Sequence, residues 1–225
     1  MQLQRSVPSL PEVVYSHLRD RILDGTYAAG VPLRQEEIAK SLNVSRVPVR
    51  EALTRLESEG LVVLRPRRGY AVVALSADEI RDIADICERL EALAAIEATR
   101  RRTPADVSAL EAILNEMDRL GALGRGGDQA ALAAWVAQHR AFHTRLFAIS
   151  GRKSLCRLLS QTRDQLEPYI RIELNLGDYL AQAPAEHRRI LDQFRLGSAE
   201  EVGRLCAEHI RKSCERLLQL APNHG

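Results

Sequence analysis

Residues 45–61, SRVPVREALTRLESEGL, decide the fold of the first part of the chain. Apolar side chains recur at helical spacing along this stretch, and the hydroxyl of Ser45 can cap the first turn of a helix. Pro48 fits there because the first amides of a helix have no partner within the helix. Gly60 can adopt the left-handed conformation in which many helices end. The stretch therefore predicts one helix from Ser45 to Glu59.

Two shorter helices and a hairpin flank this helix in the sequence. The spacing of apolar residues predicts a first helix between Val13 and Gly25 and a short second helix from Gln35 to Leu42. After the third helix come two β-prone pieces, LVVL and YAVVAL, separated by the basic turn RPRRG. Three helices followed by a hairpin are typical of a winged helix-turn-helix domain, which we place at residues 1–75.

The second part of the chain, residues 76–225, has the pattern of an all-helical bundle. A capping box from Ser76 to Glu79 opens its first helix, and about six or seven helical patterns follow in all, one of them over 185–196. The glycine-rich stretch 121–129 is expected to be a flexible loop, because a phosphate-binding loop would follow a strand. The predicted fold is mostly α, with a winged helix-turn-helix (three helices plus a β-hairpin wing) and a C-terminal all-α helical bundle.

Composition and charge narrow the function. The 225 residues carry 32 lysines and arginines and 30 acidic residues, so the charge of the whole chain indicates no acidic partner. Residues 1–75, however, hold eleven basic against eight acidic side chains. No apolar run approaches the ~18 residues of a membrane span, and the N terminus lacks a secretory apolar region. The four cysteines show no C-x-x-C spacing, so we expect buried thiols in a cytoplasmic protein.

A basic face on the first domain suits DNA. Arg46 and Arg50 are four residues apart, so both project from one face near the start of the third helix, the end that a recognition helix points into the major groove. There the planar fork of an arginine can bind guanine. Arg34, Arg67 and Arg68 add charges that can contact phosphates or the minor groove. A solvated face and a protein-binding winged helix are the alternatives, because acidic residues are interleaved.

The strings LRDRILDGTY, EEIAKSLNVSRVPVREALTRLESEGLV and RPRRGY resemble the winged-helix domain of GntR-family bacterial transcription regulators. The similarity spans residues 13–74, and SRVPVREAL followed by LESEGL is specific to that family. It implies base contacts from the recognition helix and a glycine at the wing tip. Because each winged helix reads only a few base pairs, we expect a homodimer on a palindromic operator of double-stranded DNA. With the basic face, the expected DNA contacts are Arg34, Ser45, Arg46, Arg50, Arg67, Arg68 and Gly69.

Four histidines on the predicted helices of the bundle are candidate metal ligands: His139, His143, His187 and His209. The first two are at positions i and i+4, so they share one helix face and can hold one ion. Ordinary core or surface histidines are the alternative. A zinc peptidase would need H-E-x-x-H, whereas this stretch is HRAFH, and no nucleophile signature accompanies it. We therefore expect no enzyme.

The pieces ICERLEALAA, AFHTRLFAISGRKSL and EHRRILDQF resemble the FCD effector domain of FadR-like GntR regulators. Such domains often bind a divalent metal through an acidic residue and three histidines, with a small carboxylate effector beside it. The resemblance assigns the three to His143, His187 and His209, and His139 stands at the acidic position. An imidazole there removes one negative charge, so zinc or nickel is the expected divalent transition metal. In the alternatives His139 points away, the site is three-coordinate, or metal binding is lost.

Arg89, in the string RLE, is the expected effector-binding residue by the same resemblance. A guanidinium can hold a carboxylate through two parallel hydrogen bonds. The alternative is an ion pair within the helix, with Asp85 or Asp82. The sequence thus predicts a DNA-binding transcription regulator controlled by a small organic acid at a metal-containing pocket. A regulator for which the ion itself is the signal is the alternative.

Overall fold

The computed structural model describes residues 8–176 and 179–220. The chain divides into two compact units, Met1–Leu75 and Ser76–Gly225. The outermost residues of the two predicted domains, 1–7 and 221–225, lie outside the described part. None of the described helices has the length and apolar content needed to cross a membrane.

The first unit is a winged helix-turn-helix, as predicted. Its helices are α1 (Leu10–Leu23), α2 (Gln35–Ser41) and α3 (Arg46–Ser58), and its strands are β1 (Pro32–Leu33), β2 (Val62–Arg65) and β3 (Gly69–Val72). The sheet is antiparallel in the order β1-β3-β2, and Arg65 pairs with Gly69 at the end of the β2–β3 hairpin. Apolar residues of the helices fill the core, among them Leu18, Ile22, Val49, Leu53 and Leu56.

Local capping differs from the prediction at two helix starts. Helix α1 begins at Leu10, before the predicted start, because the amide of Ser9 donates to Oε2 of Glu12 at 2.7 Å and caps the earlier turn. Ser45 is the residue before α3, but its hydroxyl makes no capping hydrogen bond, so that part of the prediction is wrong. Gly60 ends the helix with a φ of 76°, as expected.

The second unit contains six helices within its described residues. They are α4 (Ala77–Arg101), α5 (Pro104–Arg125), α6 (Gln129–Ala148), α7 (Lys153–Leu176), α8 (Tyr179–Leu196) and α9 (Ala199–Leu220). Helix α4 packs along α9, and α5 packs against α6 and α8. Trp135, Phe142 and Phe194 are fully buried in the core. The mostly α fold class is therefore confirmed.

The predicted loop over 121–129 is largely helical. Helix α5 continues to Arg125, and Gly121 is buried against Trp135. This packing outweighs the low helix propensity of glycine.

Helix α8 begins at Tyr179, six residues before the predicted start. Pro184 lies inside it and lacks the amide that would donate to the carbonyl of Leu180. Nη1 of Arg125 donates to that carbonyl instead, at 3.0 Å. A tertiary contact thus replaces the hydrogen bond that the proline removes.

All four cysteines are free thiols. Cys87, Cys206 and Cys214 are buried, as expected, whereas Cys156 is only half-buried. Burial raises the pKa of Cys87 to about 11, so this thiol is protonated at neutral pH.

Candidate functional site

The first candidate site is the exposed start of α3. Arg46 and Arg50 are both exposed there, one helical turn apart, and the hydroxyl of Ser45 makes no capping bond. The geometry agrees with a helix that presents its first turn to a groove. Contact with DNA stays a prediction for each of these residues.

Acidic neighbours hold two of the predicted arginines. Nη1 of Arg46 lies 3.0 Å from Oε1 of Glu36, and Nη1 of Arg34 lies 3.1 Å from Oε1 of Glu37. All four side chains are more than half exposed. Exposed ion pairs of this kind contribute little free energy, so phosphate can replace the carboxylates at small cost.

The wing presents its own basic turn. Arg67 and Arg68 are exposed between β2 and β3, and Arg67 has a φ of 64°. Gly69 has a φ of 79°, and a Cβ there would meet nothing within 4 Å. Backbone conformation, rather than lack of room within the protein, is therefore what favours glycine at this tip.

The second candidate site is a histidine cluster inside the helical unit. Helix α6 supplies His139 and His143, α8 supplies His187, and α9 supplies His209. Their exposed fractions are 1%, 0%, 0% and 4%, and one nitrogen of each lies within 4.8 Å of the others. The four side chains that the sequence singled out are thus brought to one point.

Hydrogen bonds orient three of the rings. Nδ1 of His187 lies 2.7 Å from the carbonyl oxygen of Ala183, and Nδ1 of His209 lies 2.8 Å from Oε2 of Glu186. Because a carbonyl only accepts, Nδ1 of His187 carries the proton and its Nε2 has a free lone pair. That Nε2 lies 3.1 Å from Nε2 of His143, which we therefore assign as the donor.

Three of the four rings, those of His139, His143 and His187, are neutral at pH 7. Burial lowers the pKa of His139, His143 and His187 well below the ordinary imidazole value, and the neighbouring rings and the charge of Arg163 lower it further. Neutral imidazole is the form that binds a metal ion.

The donor set fits a transition metal. Zinc–nitrogen bonds of about 2.0 Å place two tetrahedral ligands about 3.3 Å apart, close to the 3.1 Å between His143 and His187. Nitrogen donors suit zinc and nickel, whereas magnesium and calcium require oxygen. Nδ1 of His143 is buried and has no hydrogen-bond partner among the described residues. His139 stacks on Trp135, with ring centroids 5.2 Å apart and planes inclined by 13°.

Arg89 is not brought to this cluster. It is exposed on α4, and its Nη1 donates to the backbone carbonyl of Asp85 at 2.7 Å. The alternative that we gave for Arg89 was an ion pair with the carboxylate of Asp85 or Asp82. The structure shows a hydrogen bond to the backbone carbonyl of Asp85 instead. One guanidinium that acts electrostatically on three of the histidines belongs to Arg163 on α7, whose Cζ is 6.0 Å from the ring centroid of Phe147. That ring centroid lies 5.9 Å from the ring centroid of His143.

Sequence reasoning missed Arg163, Glu91 and Glu186. Arg163 forms a buried ion pair with Glu91, and Glu186 accepts the hydrogen bond from His209. Partial burial raises the pKa of Glu186, but the bond from His209 and the nearby positive charges outweigh it, so the pKa is lowered. Glu186 precedes His187 in the chain, which is the one signal that could have pointed to it.

Comparisons with known proteins match both parts of the chain to known domains. Residues 10–72 match the model of the "Bacterial regulatory proteins, gntR family", and residues 82–212 match the FCD domain. The transcriptional regulator YdhC of Bacillus subtilis is 29% identical over 204 residues, which cover 90% of this chain and 88% of that protein. The repressor RspR of Escherichia coli is 27% identical over 211 residues, with 92% and 88% covered.

Solved structures share the fold. Escherichia coli McbR/YncC superposes with a TM-score of 0.82 at 22% identity, covering 95% of this chain and 99% of that one. A GntR transcriptional regulator from Rhodococcus sp. RHA1 gives a TM-score of 0.80 at 22% identity, with 96% and 100% covered.

These matches also decide between regulator and enzyme. Arg140, which stands where a zinc peptidase has its glutamate, is ion-paired with Asp164 at 2.5 Å. The chain belongs to the gntR family of bacterial regulatory proteins, with an FCD domain, and is a DNA-binding transcriptional regulator rather than an enzyme.

Proposed function

We propose that a small organic acid controls the operator affinity of this regulator by binding at a metal-containing pocket in the FCD domain. The observation that carries the proposal is the buried cluster of His139, His143, His187 and His209. Four imidazoles removed from water are costly unless their polar atoms are used. A shared metal ion uses one nitrogen of each.

The metal, zinc or nickel, would be held by His143, His187 and His209, with His139 as fourth ligand. When bound, the ion supplies a positive centre that attracts an oxygen of the acid. The carbonyl of Ala183 and the carboxylate of Glu186 fix two of the rings so that their Nε2 atoms face the cluster.

On the DNA side, the proposed protein is a homodimer on a palindromic operator. Each winged helix reads only a few base pairs, so two copies related by two-fold symmetry give the specificity that one lacks. The relative RspR is named a transcriptional repressor, and we propose that this chain also represses transcription.

One observation favours the second candidate, a regulator for which the ion is the signal. Four nitrogen ligands fill a tetrahedral zinc shell, so an acid can reach the ion only if His139 gives up its position or the shell expands to five ligands. If His139 binds the metal permanently, the binding of the ion itself must be what changes the operator affinity. If His139 keeps its place on Trp135 instead, the fourth position is open to the acid.

A thermal-shift screen of organic acids against metal-free and zinc-loaded protein tests the proposal. We expect stabilisation by some acids in the zinc-loaded protein only. His139→Ala should keep zinc and strengthen the response to the acid if His139 and the acid compete for the fourth position. A response to zinc in DNA binding, with none to any acid, would favour the second candidate. Failure of the wild-type protein to take up any metal would refute both.

A further inference from the structure

A buried ion pair lies in the helical unit. Glu91 on α4 is fully buried, Arg163 on α7 exposes 11% of its side chain, and Nη1 of Arg163 donates to Oε1 of Glu91. The second oxygen, Oε2 of Glu91, is also buried and has no hydrogen-bond partner among the described residues. The carboxylate is therefore held through one oxygen, although a guanidinium fork can hold two.

This arrangement is poorly explained as packing. The attraction between two buried charges roughly offsets the cost of removing them from water, and an oxygen without a partner adds to that cost. An apolar pair of the same size would stabilise the core at least as well. The charges therefore point to a use other than stability.

Position and charge suit Arg163 for binding an acid. Its Cζ lies 6.0 Å from the ring centroid of Phe147, which is 5.9 Å from the ring centroid of His143. Its positive charge also contributes to the low pKa of the histidines, in keeping with this proximity. The carboxylate of Glu167 is a second acidic neighbour within electrostatic reach.

We propose that Arg163 is the carboxylate-binding residue of the effector site and that Glu91 occupies its guanidinium when no acid is bound. This inference rests on the proposed function in taking the effector to be an organic acid that binds beside the histidines. The acid replaces one carboxylate with another, so the guanidinium stays paired throughout. Glu91 lies on α4, the helix that opens the FCD domain, and its release removes a tie between α4 and α7.

Acetate, a small monocarboxylate, is the probe. We would titrate it into metal-depleted wild type, Glu91→Gln and Glu91→Ala by calorimetry, so that the histidine centre plays no part. Because the internal competitor is removed, we expect acetate to bind at least tenfold more tightly to both variants than to wild type. In the double variant that combines Glu91→Gln with Arg163→Met, the increase in acetate affinity should be abolished.

Matched controls separate a specific site from a general charge effect. Glu97 also lies on α4, and it pairs with the exposed Arg100, so Glu97→Gln should leave acetate binding unchanged. Acetamide, which has the shape of acetate without the charge, should not bind. The Gln variant keeps the shape of the glutamate, so the test stands even if Glu91→Ala does not fold.

Equal acetate affinity in wild type and Glu91→Gln would overturn the inference, as would binding that survives Arg163→Met. Zinc binding by wild type is measured separately. If zinc is not bound while the gain in acetate affinity appears, the proposed metal centre fails and the carboxylate subsite stands. If zinc is bound but the gain is missing, this inference alone fails.

Discussion

Acidification of the metal-free protein from pH 7 to pH 5.5 should destabilise the helical unit, by at most about 4 kcal/mol. The perturbation acts on His139, His143 and His187, whose pKa values burial lowers well below the ordinary value. In the unfolded chain each imidazole takes up a proton near pH 6.5, while the folded state keeps it neutral. Below about pH 6.5 the unfolded state therefore binds more protons than the folded state. The free energy of unfolding consequently decreases as the pH falls through this range.

The magnitude follows from the unfolded value alone if the three buried rings stay neutral at pH 5.5. One imidazole with a pKa of about 6.5 then lowers the free energy of unfolding by about 1.3 kcal/mol between pH 7 and pH 5.5. Three give about 4 kcal/mol. Ordinary carboxyl groups, with pKa values near ~4, contribute little in this range.

Urea unfolding followed by fluorescence measures this directly. Trp135 is the single tryptophan of the chain and stacks on His139, so its emission reports the helical unit. His143→Leu should reduce the pH-dependent loss by about one third, because one of the three contributing rings is gone. His17→Ala, in the winged-helix unit, should leave the loss unchanged.

A loss below about 1 kcal/mol in the metal-free wild type would refute the reasoning, since it would mean that the folded cluster takes up protons as readily as the unfolded chain. An equal loss in His143→Leu would also contradict it.

Three further predictions concern other parts of the molecule. Arg46→Ala and Arg50→Ala should each weaken operator binding by ~1 to 3 kcal/mol and flatten base preference, whereas Arg67→Ala should weaken all sequences alike; unchanged base preference in a binding-site selection would contradict this. Glu186→Gln should lower zinc affinity roughly 10- to 100-fold in a chelator competition, and wild-type affinity would exclude its role in orienting a ligand. Gly203 lies on α9, and Gly203→Ala should lower the free energy of unfolding in urea by roughly 1 to 3 kcal/mol, because the added Cβ would lie 3.1 Å from a backbone oxygen of α4. An unchanged free energy of unfolding would mean that α4 and α9 separate easily.

The winged-helix unit could be predicted closely because its signals are local. The cap position, the early proline and Gly60 define α3 within a few residues. Strand β1 was missed because two residues are too few for any periodicity to show. The early start of α1 depends on one capping contact of Ser9, which competes with several similar possibilities in the sequence.

In the helical unit, sequence patterns fail where tertiary contacts override them. Glycines suggested a loop over 121–129, but burial of Gly121 against Trp135 keeps α5 helical as far as Arg125. The four histidines were singled out by their spacing and by resemblance, and the structure brings them together. Arg163 carries no such signal, because only the packing of α7 against α4 shows which of many arginines turns inward.

The most direct test of the account is the operator affinity of the zinc-loaded protein, measured by fluorescence anisotropy with and without the acid that gives the largest shift in the thermal screen. Operator DNA is first obtained by selection from a random library. We expect the acid to change the operator affinity at least ~5-fold, and His143→Leu, which still carries the whole DNA-reading face, to lose that response. An acid response that persists unchanged in His143→Leu, or an operator affinity that no stabilising acid alters, would contradict control through the histidine cluster.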